Sequence, residues 1–348
     1  MRPTREKLSP WAKTYAVARY KPEVLYLGNS RTETGLPAAS ALWGGRRAFN
    51  AAITGGSLDD AIAMARHARV VGGVSTYVWG IDFWSFSLLG GNTEFDRELI
   101  ATDSRYEFAR TVLNVKRSLS FDITRGSIEF LSGMGPLVCR SSLVFFGQRD
   151  ERCAHVNLVD RGGATTAMVA DVKAMIGSDF KVQDGLAAFS QAIQALCRAD
   201  AKVLIHVNPT HAVSMYALDL AGVWSQMEEW MRSVVRIANV AREEGCDAKV
   251  FDFSGFNSIS MEPIPQVTAR TDMRNFWEAS HYRTEIGKLI LARLQSSNSI
   301  SVPDDFGVEL SGDMLDAHFA TSRLKRDEYK IGHEAEAALV RTWISGRR

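Results

Sequence analysis

The stretch that decides the fold is Glu23-Val-Leu-Tyr-Leu-Gly-Asn-Ser30, a short apolar run that ends in Gly-Asn-Ser. Such a run followed by a turn signal predicts a buried β-strand that leads into a tight turn. Downstream, Ser57-Leu-Asp-Asp60 has the spacing of a capping box, and apolar residues then recur at helical intervals to about Val71. A second apolar run covers Ser75–Gly80. Strand, helix and strand in this order predict a βαβ unit, whose parallel strands are joined by a helix packed on the sheet.

The same alternation returns in the second half of the chain. Lys202–Val207 and Lys249–Phe253 have the composition of strands, and Thr284–Gln295 has the periodicity of a helix. Between the two strands, Met and Trp residues recur at helical spacing over residues 212–244, and we interpret them as core. Strands alternating with helices predict an α/β fold, here a three-layer α/β/α sandwich with a mostly parallel central sheet. Functional sites of such folds gather at the C-terminal ends of the strands.

The pattern divides the chain into an α/β domain, residues 1–296, and a C-terminal tail, residues 297–348, that packs on the domain. Within the domain, residues 84–200 are less regular, with helical periodicity near residues 104–119 and 165–197. We predict a helical insertion or cap there. The pattern does not decide whether this segment covers the site or only supports it.

Composition excludes several classes of function. Of the 348 residues, 46% are hydrophobic and 23% are charged, which is ordinary for a globular protein. The formal net charge of +1 gives no overall field that would draw the chain onto nucleic acid or an anionic membrane. The apolar stretches are far shorter than the ~20 residues that cross a bilayer, and the N-terminus lacks the apolar core of a signal peptide. We therefore expect a soluble polypeptide that does not bind nucleic acid.

The four cysteines, Cys139, Cys153, Cys197 and Cys246, form no CxxC motif and no Cys/His cluster. Their spacing therefore predicts no metal site. If a disulfide forms, Cys139 with Cys153 is the favoured pair. The cysteine count does not decide whether the protein works in an oxidising or a reducing compartment.

Ser30 is a candidate nucleophile, because it lies between a strand and a turn, where its hydroxyl would project at the edge of the sheet. His281, just before the last helix of the domain, is the candidate base, since a loop there would return to the same edge. Glu278 is three residues earlier and could accept from the other ring nitrogen. Together they predict a Ser-His-Glu triad. Taken singly, a serine in a turn usually caps a helix and a histidine near a helix start usually satisfies a local hydrogen bond.

At this point the sequence resembles the SGNH (GDSL-like) hydrolases, through blocks in the order of that family. The four blocks are Leu25-Tyr-Leu-Gly-Asn-Ser30, Phe49-Asn-Ala-Ala-Ile-Thr-Gly55, Trp79-Gly-Ile-Asp-Phe83 and Glu278-Ala-Ser-His281. More narrowly, three further runs look like bacterial SGNH-like proteins associated with cell-surface polysaccharide modification: Asn208-Pro-Thr-His211, Asp252-Phe-Ser-Gly255 and Ser280-His-Tyr-Arg-Thr-Glu-Ile-Gly287. The likeness covers about residues 20–90 and 200–296.

The resemblance implies a role for each matching position. Ser30 would be the nucleophile and its amide an oxyanion donor, and Gly55 would give a second amide. His281 would be the general base, and Glu278 would orient it. The arrangement implies acyl transfer through a covalent acyl-enzyme, without a cofactor or a metal ion.

The third block departs from the family's pattern. Where the family has an asparagine that donates a side-chain N–H to the oxyanion, this chain has Asp82. An ionised carboxylate cannot donate and would repel the developing negative charge. Three accounts are open: burial keeps Asp82 protonated, Asn50 or Asn29 supplies the donor instead, or the site is degenerate.

Three residues are candidates for substrate binding. Asn29 replaces the family's aspartate and can order the same turn. Arg31 could bind an anionic sugar or acyl group, or form a surface salt bridge. His211 follows a strand and either points into the cleft or caps the helix that begins near Ala212. The remaining histidines are interpreted as structural: His67, His155, His206, His318 and His333.

The leading hypothesis is a serine esterase or O-acyltransferase that acts on an acylated carbohydrate, such as an O-acetylated exopolysaccharide or cell-wall glycan. The alternative is a catalytically silent SGNH-like module that binds glycan or a partner protein of a polysaccharide-export system, which Asp82 favours. A nucleotide-binding protein ranks third, because no GxGxxG or GxxxxGK[ST] motif follows a strand. The resemblance also implies an extracytoplasmic, periplasmic domain, held to the membrane only through an anchor that is absent from this chain.

Overall fold

Six strands form one central sheet in the computed structural model, which describes residues 10–87, 95–103, 105–118, 145–176, 180–265 and 273–345. Its order is β2-β1-β3-β4-β5-β6, and only the last strand is antiparallel to its neighbour. The predicted α/β class with a mostly parallel sheet is confirmed. The strands are β1 (Val24–Leu27), β2 (Ala48–Asn50), β3 (Thr76–Ile81), β4 (Lys202–Val207), β5 (Ala248–Asp252) and β6 (Val308–Leu310).

Helices connect these strands. The α3 helix begins as predicted, because the Ser57 hydroxyl accepts from the N–H of Asp60 and the Asp60 carboxylate accepts from the N–H of Ser57. Within the described residues the helices are α1 (Pro10–Tyr20), α2 (Ser30–Gly35), α3 (Leu58–Val71), α4 (Tyr106–Ser118), α5 (Glu151–Asp160), α6 (Ala164–Ile176), α7 (Gln183–Cys197), α8 (Ala212–Leu220), α9 (Trp224–Glu243), α10 (Thr284–Leu294), α11 (Leu315–Gly332) and α12 (Glu334–Ser345).

The direction of strand addition reverses at β1. The chain passes from β1 outward to β2 and then returns to the other side of β1 to form β3. In open parallel sheets, such a reversal leaves a crevice outside the carboxyl ends of the two central strands. Here β1 ends at Leu27 and β3 ends at Ile81, so the crevice lies beside the Gly28-Asn-Ser30 turn and Asp82.

Strands β1 and β3 are buried along their whole length, as the sheet interior of an α/β protein requires. The Met and Trp residues of α9 are core residues, as interpreted from the sequence: Met227, Trp230 and Met231 are all buried. The α7 helix contacts both α3 and α9. It therefore belongs to the helical packing around the sheet, although it lies within the predicted insertion at residues 84–200, part of which falls outside the described residues.

The tail contributes to the fold in two ways. Its strand β6 pairs with β5, Val250 facing Leu310, and so extends the sheet by one antiparallel strand. Its last helix, α12, packs against α8 and α6. No helix among the described residues has both the length and the apolar character needed to span a bilayer.

A disulfide joins Cys197 to Cys246, with their Cα atoms 5.3 Å apart. The two residues precede the neighbouring parallel strands β4 and β5, so the sheet brings them to the same edge. The sequence did not single out this pair, because a separation of 49 residues does not indicate that the strands following the two cysteines are neighbours in the sheet. The pair favoured from the sequence includes Cys139, which lies outside the described residues.

Candidate active site

Ser30 and His281 meet at the carboxyl end of the sheet. The Oγ atom of Ser30 lies 2.8 Å from Nε2 of His281, although the two residues are 251 positions apart along the chain. Ser30 is the first residue of α2, and Asn29 caps that helix by accepting the N–H of Arg31. The imidazole is 28% exposed and Ser30 is half-buried, so a substrate can reach the pair.

A tight loop presents the imidazole. The Glu262 carboxylate accepts the backbone N–H groups of Asn275 and Phe276, and Phe276 forms an antiparallel bridge with Tyr282. Inside this bridge the N–H of Trp277 donates to the carbonyl of His281 at 2.8 Å. The chain therefore turns back on itself between residues 276 and 282, which carries Glu278 to the side of the ring.

Glu278 accepts hydrogen bonds from the ring Nδ1 and the backbone N–H of His281, and from the N–H of Ser280. Because Nδ1 donates to the carboxylate, the tautomer assigned by this network leaves Nε2 free to accept the Ser30 hydroxyl proton. Burial by itself raises the pKa of Glu278, but the charge of His281 and the hydrogen bonds to the carboxylate outweigh burial and hold the pKa well below its usual range. The carboxylate is thus ionised and orients the base.

Two glycines allow the helix that carries Ser30 to approach the helix that follows His281. A Cβ atom on Gly287 of α10 would lie 1.9 Å from the carbonyl oxygen of Gly35 in α2. A Cβ atom on Gly35 would lie 2.0 Å from the ring of Tyr282. Since real Cβ atoms do not come so close, the distance between Ser30 and His281 depends on these two positions having no side chain.

Ser30 borders a cavity of about 300 Å³. Gly55 lies on its wall with a φ of 65°, a left-handed conformation that favours glycine. Neither the N–H of Ser30 nor that of Gly55 donates a hydrogen bond to another described residue. The lining residues are Asn29, Ser30, Arg31, Gly55, Gly56, Trp84, Asp171, Ala174, Met175, Ser214 and Ser280.

Asp82 does not act as an oxyanion donor, which corrects its place in the predicted oxyanion hole. Its Oδ1 accepts from the Arg31 guanidinium at 2.6 Å, and its Oδ2 accepts from the side-chain amides of Asn29 at 2.7 Å and Asn208 at 3.3 Å. The Asp82 side chain is 1% exposed. Both oxygens of Asp82 therefore already accept from donors of the protein.

Asn50 does not supply the missing donor. Its Nδ2 donates to the carbonyls of Thr32 at 2.8 Å and Leu36 at 3.0 Å, and its Oδ1 accepts the N–H of Ala52 at 3.1 Å. These bonds use both hydrogens of the amide, so the predicted oxyanion role of Asn50 is wrong. Asn29 is different, because it lines the cavity and its Nδ2 donates one hydrogen to Asp82, while the second has no acceptor among the described residues.

Arg31 does not offer its guanidinium to an anionic substrate, nor does it form the surface salt bridge considered as the alternative. The guanidinium is buried against Asp82, donates to Thr210 at 3.0 Å and lies 4.1 Å above the ring of Trp84. Its substrate-binding role, predicted from its place next to Ser30, is wrong. Sequence reasoning missed Thr210, Trp84 and Asn208 as supports of the site, although the run Asn208-Pro-Thr-His211 after β4 was available as a signal.

His211 caps α8 and is fully buried. Its Nε2 donates to the carbonyl of Glu262 at 2.8 Å, and its Nδ1 accepts the N–H of Val213 at 3.3 Å. Burial lowers the pKa of His211 to about 4, so the ring is neutral. The prediction that His211 binds substrate is wrong, and the alternative of a helix cap is confirmed.

No protein-family model and no curated protein matches this chain. Within the described part of the chain, no group of three or more His, Cys, Asp or Glu residues is placed to hold a metal ion. The chemistry of the site therefore has to be argued from the residues themselves.

Proposed function

We propose that this protein is an SGNH-type serine hydrolase, an esterase or O-acyltransferase built on a three-layer α/β/α sandwich, that acts on an acylated carbohydrate. The observation that carries the proposal is the chain of contacts from Ser30 through His281 to Glu278, with 2.8 Å between hydroxyl and imidazole, and with Ser30 on the wall of a cavity. The strand order 2-1-3-4-5 with the site beside β1 and β3 fits this class of fold.

The geometry supports the following reaction. Ser30 Oγ attacks the ester carbonyl while His281 Nε2 takes its proton, and Glu278 stabilises the imidazolium that forms. The oxyanion of the tetrahedral intermediate is stabilised by the N–H groups of Ser30 and Gly55 and the second amide hydrogen of Asn29. His281 then returns the proton to the departing sugar hydroxyl, which leaves an acyl-enzyme. Water or another sugar hydroxyl attacks this ester by the same steps in reverse.

The cavity suits a sugar ester of modest size. Its volume of about 300 Å³ is at the small end of ligand sites, enough for one sugar ring with a short acyl group. Trp84 and Met175 give apolar surface, and the hydroxyls of Ser214 and Ser280 give hydrogen-bonding groups. Because the Arg31 charge is already paired with Asp82, a neutral acyl group such as acetyl fits better than an anionic one.

We further propose an extracytoplasmic location, with the glycan presented by a polysaccharide-export system. The Cys197–Cys246 disulfide supports this location, because such bonds persist in oxidising compartments and are rare in the cytosol.

Substituting Ser30→Ala tests the catalytic proposal. Turnover of an aryl acetate is expected to fall by at least about a thousandfold, and labelling by a serine-directed fluorophosphonate is expected to vanish. Ser299→Ala, which removes an exposed hydroxyl away from the cavity, should match the wild type in both assays. Equal labelling of the wild type and the Ser30→Ala variant would refute the assignment. Glycan binding without any turnover that depends on Ser30 would point to the alternative, the silent binding module.

A further inference from the structure

A second cavity, of about 40 Å³, borders His281 and lies beside the cavity that Ser30 lines. Residues of the two walls are in contact, since Ser30 Oγ lies 2.8 Å from the imidazole and the Ser280 hydroxyl donates to Glu278 at 3.1 Å. Asn157 on the wall of the second cavity is exposed, and the imidazole is 28% exposed. A glycan that lies across the exposed edge of His281 can therefore enter both cavities.

Two buried N–H groups of residues that line the second cavity lack an acceptor. They are Nε1 of Trp277 and Nε of Arg149, and neither has a partner in the described part of the chain. Trp277 is only 5% exposed, and the Arg283 guanidinium stacks on its ring at 3.7 Å, which fixes the indole. Buried donors without an acceptor are destabilising and rare in native structures. A ligand with acceptor oxygens in this cavity would satisfy both of them.

Contacts with other side chains hold Arg149 in place and leave its Nε unused. Nη2 of Arg149 donates to Oγ1 of Thr54 at 2.7 Å and lies 3.6 Å from the Glu33 carboxylate. The same carboxylate also binds Nζ of Lys13 at 2.7 Å, so two basic side chains share it. A guanidinium stays charged over the whole pH range in which proteins are stable. Arg149 therefore brings a fixed positive charge to the cavity, with one donor to spare.

The charges on the wall favour a small anion. Among the described residues that line the second cavity, Arg149 and Arg161 carry guanidinium groups and Glu278 carries a carboxylate. Arg161 is paired with Asp171, and Glu278 already accepts from His281. The volume of about 40 Å³ exceeds the roughly 10–15 Å³ that a single water needs. A planar carboxylate, which N–H donors and guanidinium groups bind strongly, fits this space better than the bulkier tetrahedral phosphate.

We propose that the second cavity binds the carboxylate of an acidic sugar, so that the substrate is an O-acylated glycan that contains uronic acid. The inference rests on the proposed function and names the sugar that exchanges its acyl group at Ser30. During acyl transfer, a sugar hydroxyl must lie within hydrogen-bond reach of Nε2 of His281. The ring of that sugar then lies beside the imidazole, and its carboxylate enters the second cavity and accepts from Arg149 and Trp277. The neutral acyl group stays in the cavity of Ser30.

Binding of two matched sugars tests the site without turnover. Methyl β-D-glucuronoside carries the carboxylate, and methyl β-D-glucoside has a neutral CH₂OH group in its place. The indole N–H resonance of Trp277, assigned by its absence in Trp277→Phe, should shift downfield with the glucuronoside and stay unchanged with the glucoside. No shift with either sugar would mean that water alone satisfies these donors, and it would overturn the inference. Equal shifts with both sugars would overturn it as well.

The variant Trp277→Phe removes one donor and keeps an aromatic ring beneath Arg283. It should weaken the binding of the glucuronoside by at least about tenfold, which corresponds to one hydrogen bond to a charged group. Trp343→Phe is the matched control, because Trp343 is a half-buried residue of α12 that lines neither cavity. It should bind the glucuronoside as the wild type does. Unchanged binding in Trp277→Phe would count against the site.

Turnover separates this inference from the proposed function. With mono-O-acetylated forms of the two sugars, the part of kcat/KM that is lost in Ser30→Ala should be about tenfold higher for the glucuronoside. The difference should shrink in Trp277→Phe and persist in Trp343→Phe. If no turnover depends on Ser30, the proposed function fails, and the indole resonance still decides whether the cavity binds a carboxylate. Equal kcat/KM values for both sugars would leave the esterase intact and overturn the inference.

Discussion

Replacing Asp82 by Asn tests how the site tolerates a carboxylate where an oxyanion donor is expected. From the sequence, Asp82→Asn would restore the missing donor and raise activity if the native residue were a defect. In the structure Asp82 instead accepts from three side chains, Arg31, Asn29 and Asn208. An amide at position 82 keeps one acceptor oxygen and places an NH₂ group against at least one of the former donors. We therefore expect the opposite result, a loss of stability and of activity.

The size of the loss follows from burial. The side chains of Arg31 and Asp82 are 4% and 1% exposed, and removing one partner of a buried ion pair costs about 3–5 kcal/mol. The low end applies, because the guanidinium keeps Thr210 and the face of Trp84. We expect the free energy of unfolding to fall by about 3 kcal/mol. If the turn at Asn29 loosens as well, kcat falls by about a hundredfold, the cost of a lost oxyanion donor.

Urea unfolding measures the first quantity, and steady-state hydrolysis of an aryl acetate measures the second. The double variant Arg31→Met with Asp82→Asn is the matched control, since it removes both charges and keeps an apolar stem over Trp84. It should be more stable than Asp82→Asn alone, and it should stay less active than the wild type because Asn29 has lost its partner. An Asp82→Asn protein that is as stable as the wild type, or more active, would refute the reasoning.

Two further predictions concern helix packing and pH. Gly287→Ala should lower kcat and reduce the free energy of unfolding by about 1–3 kcal/mol, because its Cβ atom would meet the carbonyl of Gly35. The control Gly332→Ala has open space at its Cβ position, so it should change neither kcat nor the free energy of unfolding appreciably. Burial by itself lowers the pKa of His318, but the hydrogen bond to Asp252 outweighs burial, and the net pKa of His318 is raised. For Asp252 burial by itself raises the pKa, but the hydrogen bond and charge of His318 outweigh burial, and the net pKa of Asp252 is lowered. The pair therefore stabilises the fold at pH 6, and the stability difference between the wild type and His318→Gln should shrink as the pH rises past the raised pKa of His318 or falls through the lowered pKa of Asp252. A difference that does not change with pH would contradict this assignment.

Sequence reasoning predicted those elements whose signals are local. β1, β3, β4 and β5 are short runs of mostly apolar residues, and α3 carries its own capping box, so each can be recognised from a short stretch of chain. β2 has three residues, Ala48–Asn50, and β6 has three, Val308–Leu310, which is too short for any pattern to develop. The strand order could not be predicted either, because it depends on contacts between segments far apart in the chain.

The same distinction between local signals and contacts of distant segments applies to the candidate site. Ser30, Glu278 and His281 could be proposed from sequence blocks, since the contact of Glu278 with His281 is local and both candidate blocks end at predicted elements. The environment of Asp82 could not be proposed, because its partners lie in two distant segments, at Asn29 and Arg31 and at Asn208.

The arrangement of charges around Ser30 explains how the site can stabilise an oxyanion although it contains three carboxyl groups. Asp82 is neutralised by Arg31, and the repulsion inferred from its sequence position is thereby removed. Asp171 is paired with the guanidinium of Arg161. Glu278 faces the imidazole, whose positive charge develops as the oxyanion forms. Among the residues described at this site, the developing negative charge therefore meets N–H donors and no uncompensated carboxylate, which is the condition that acyl transfer from Ser30 requires.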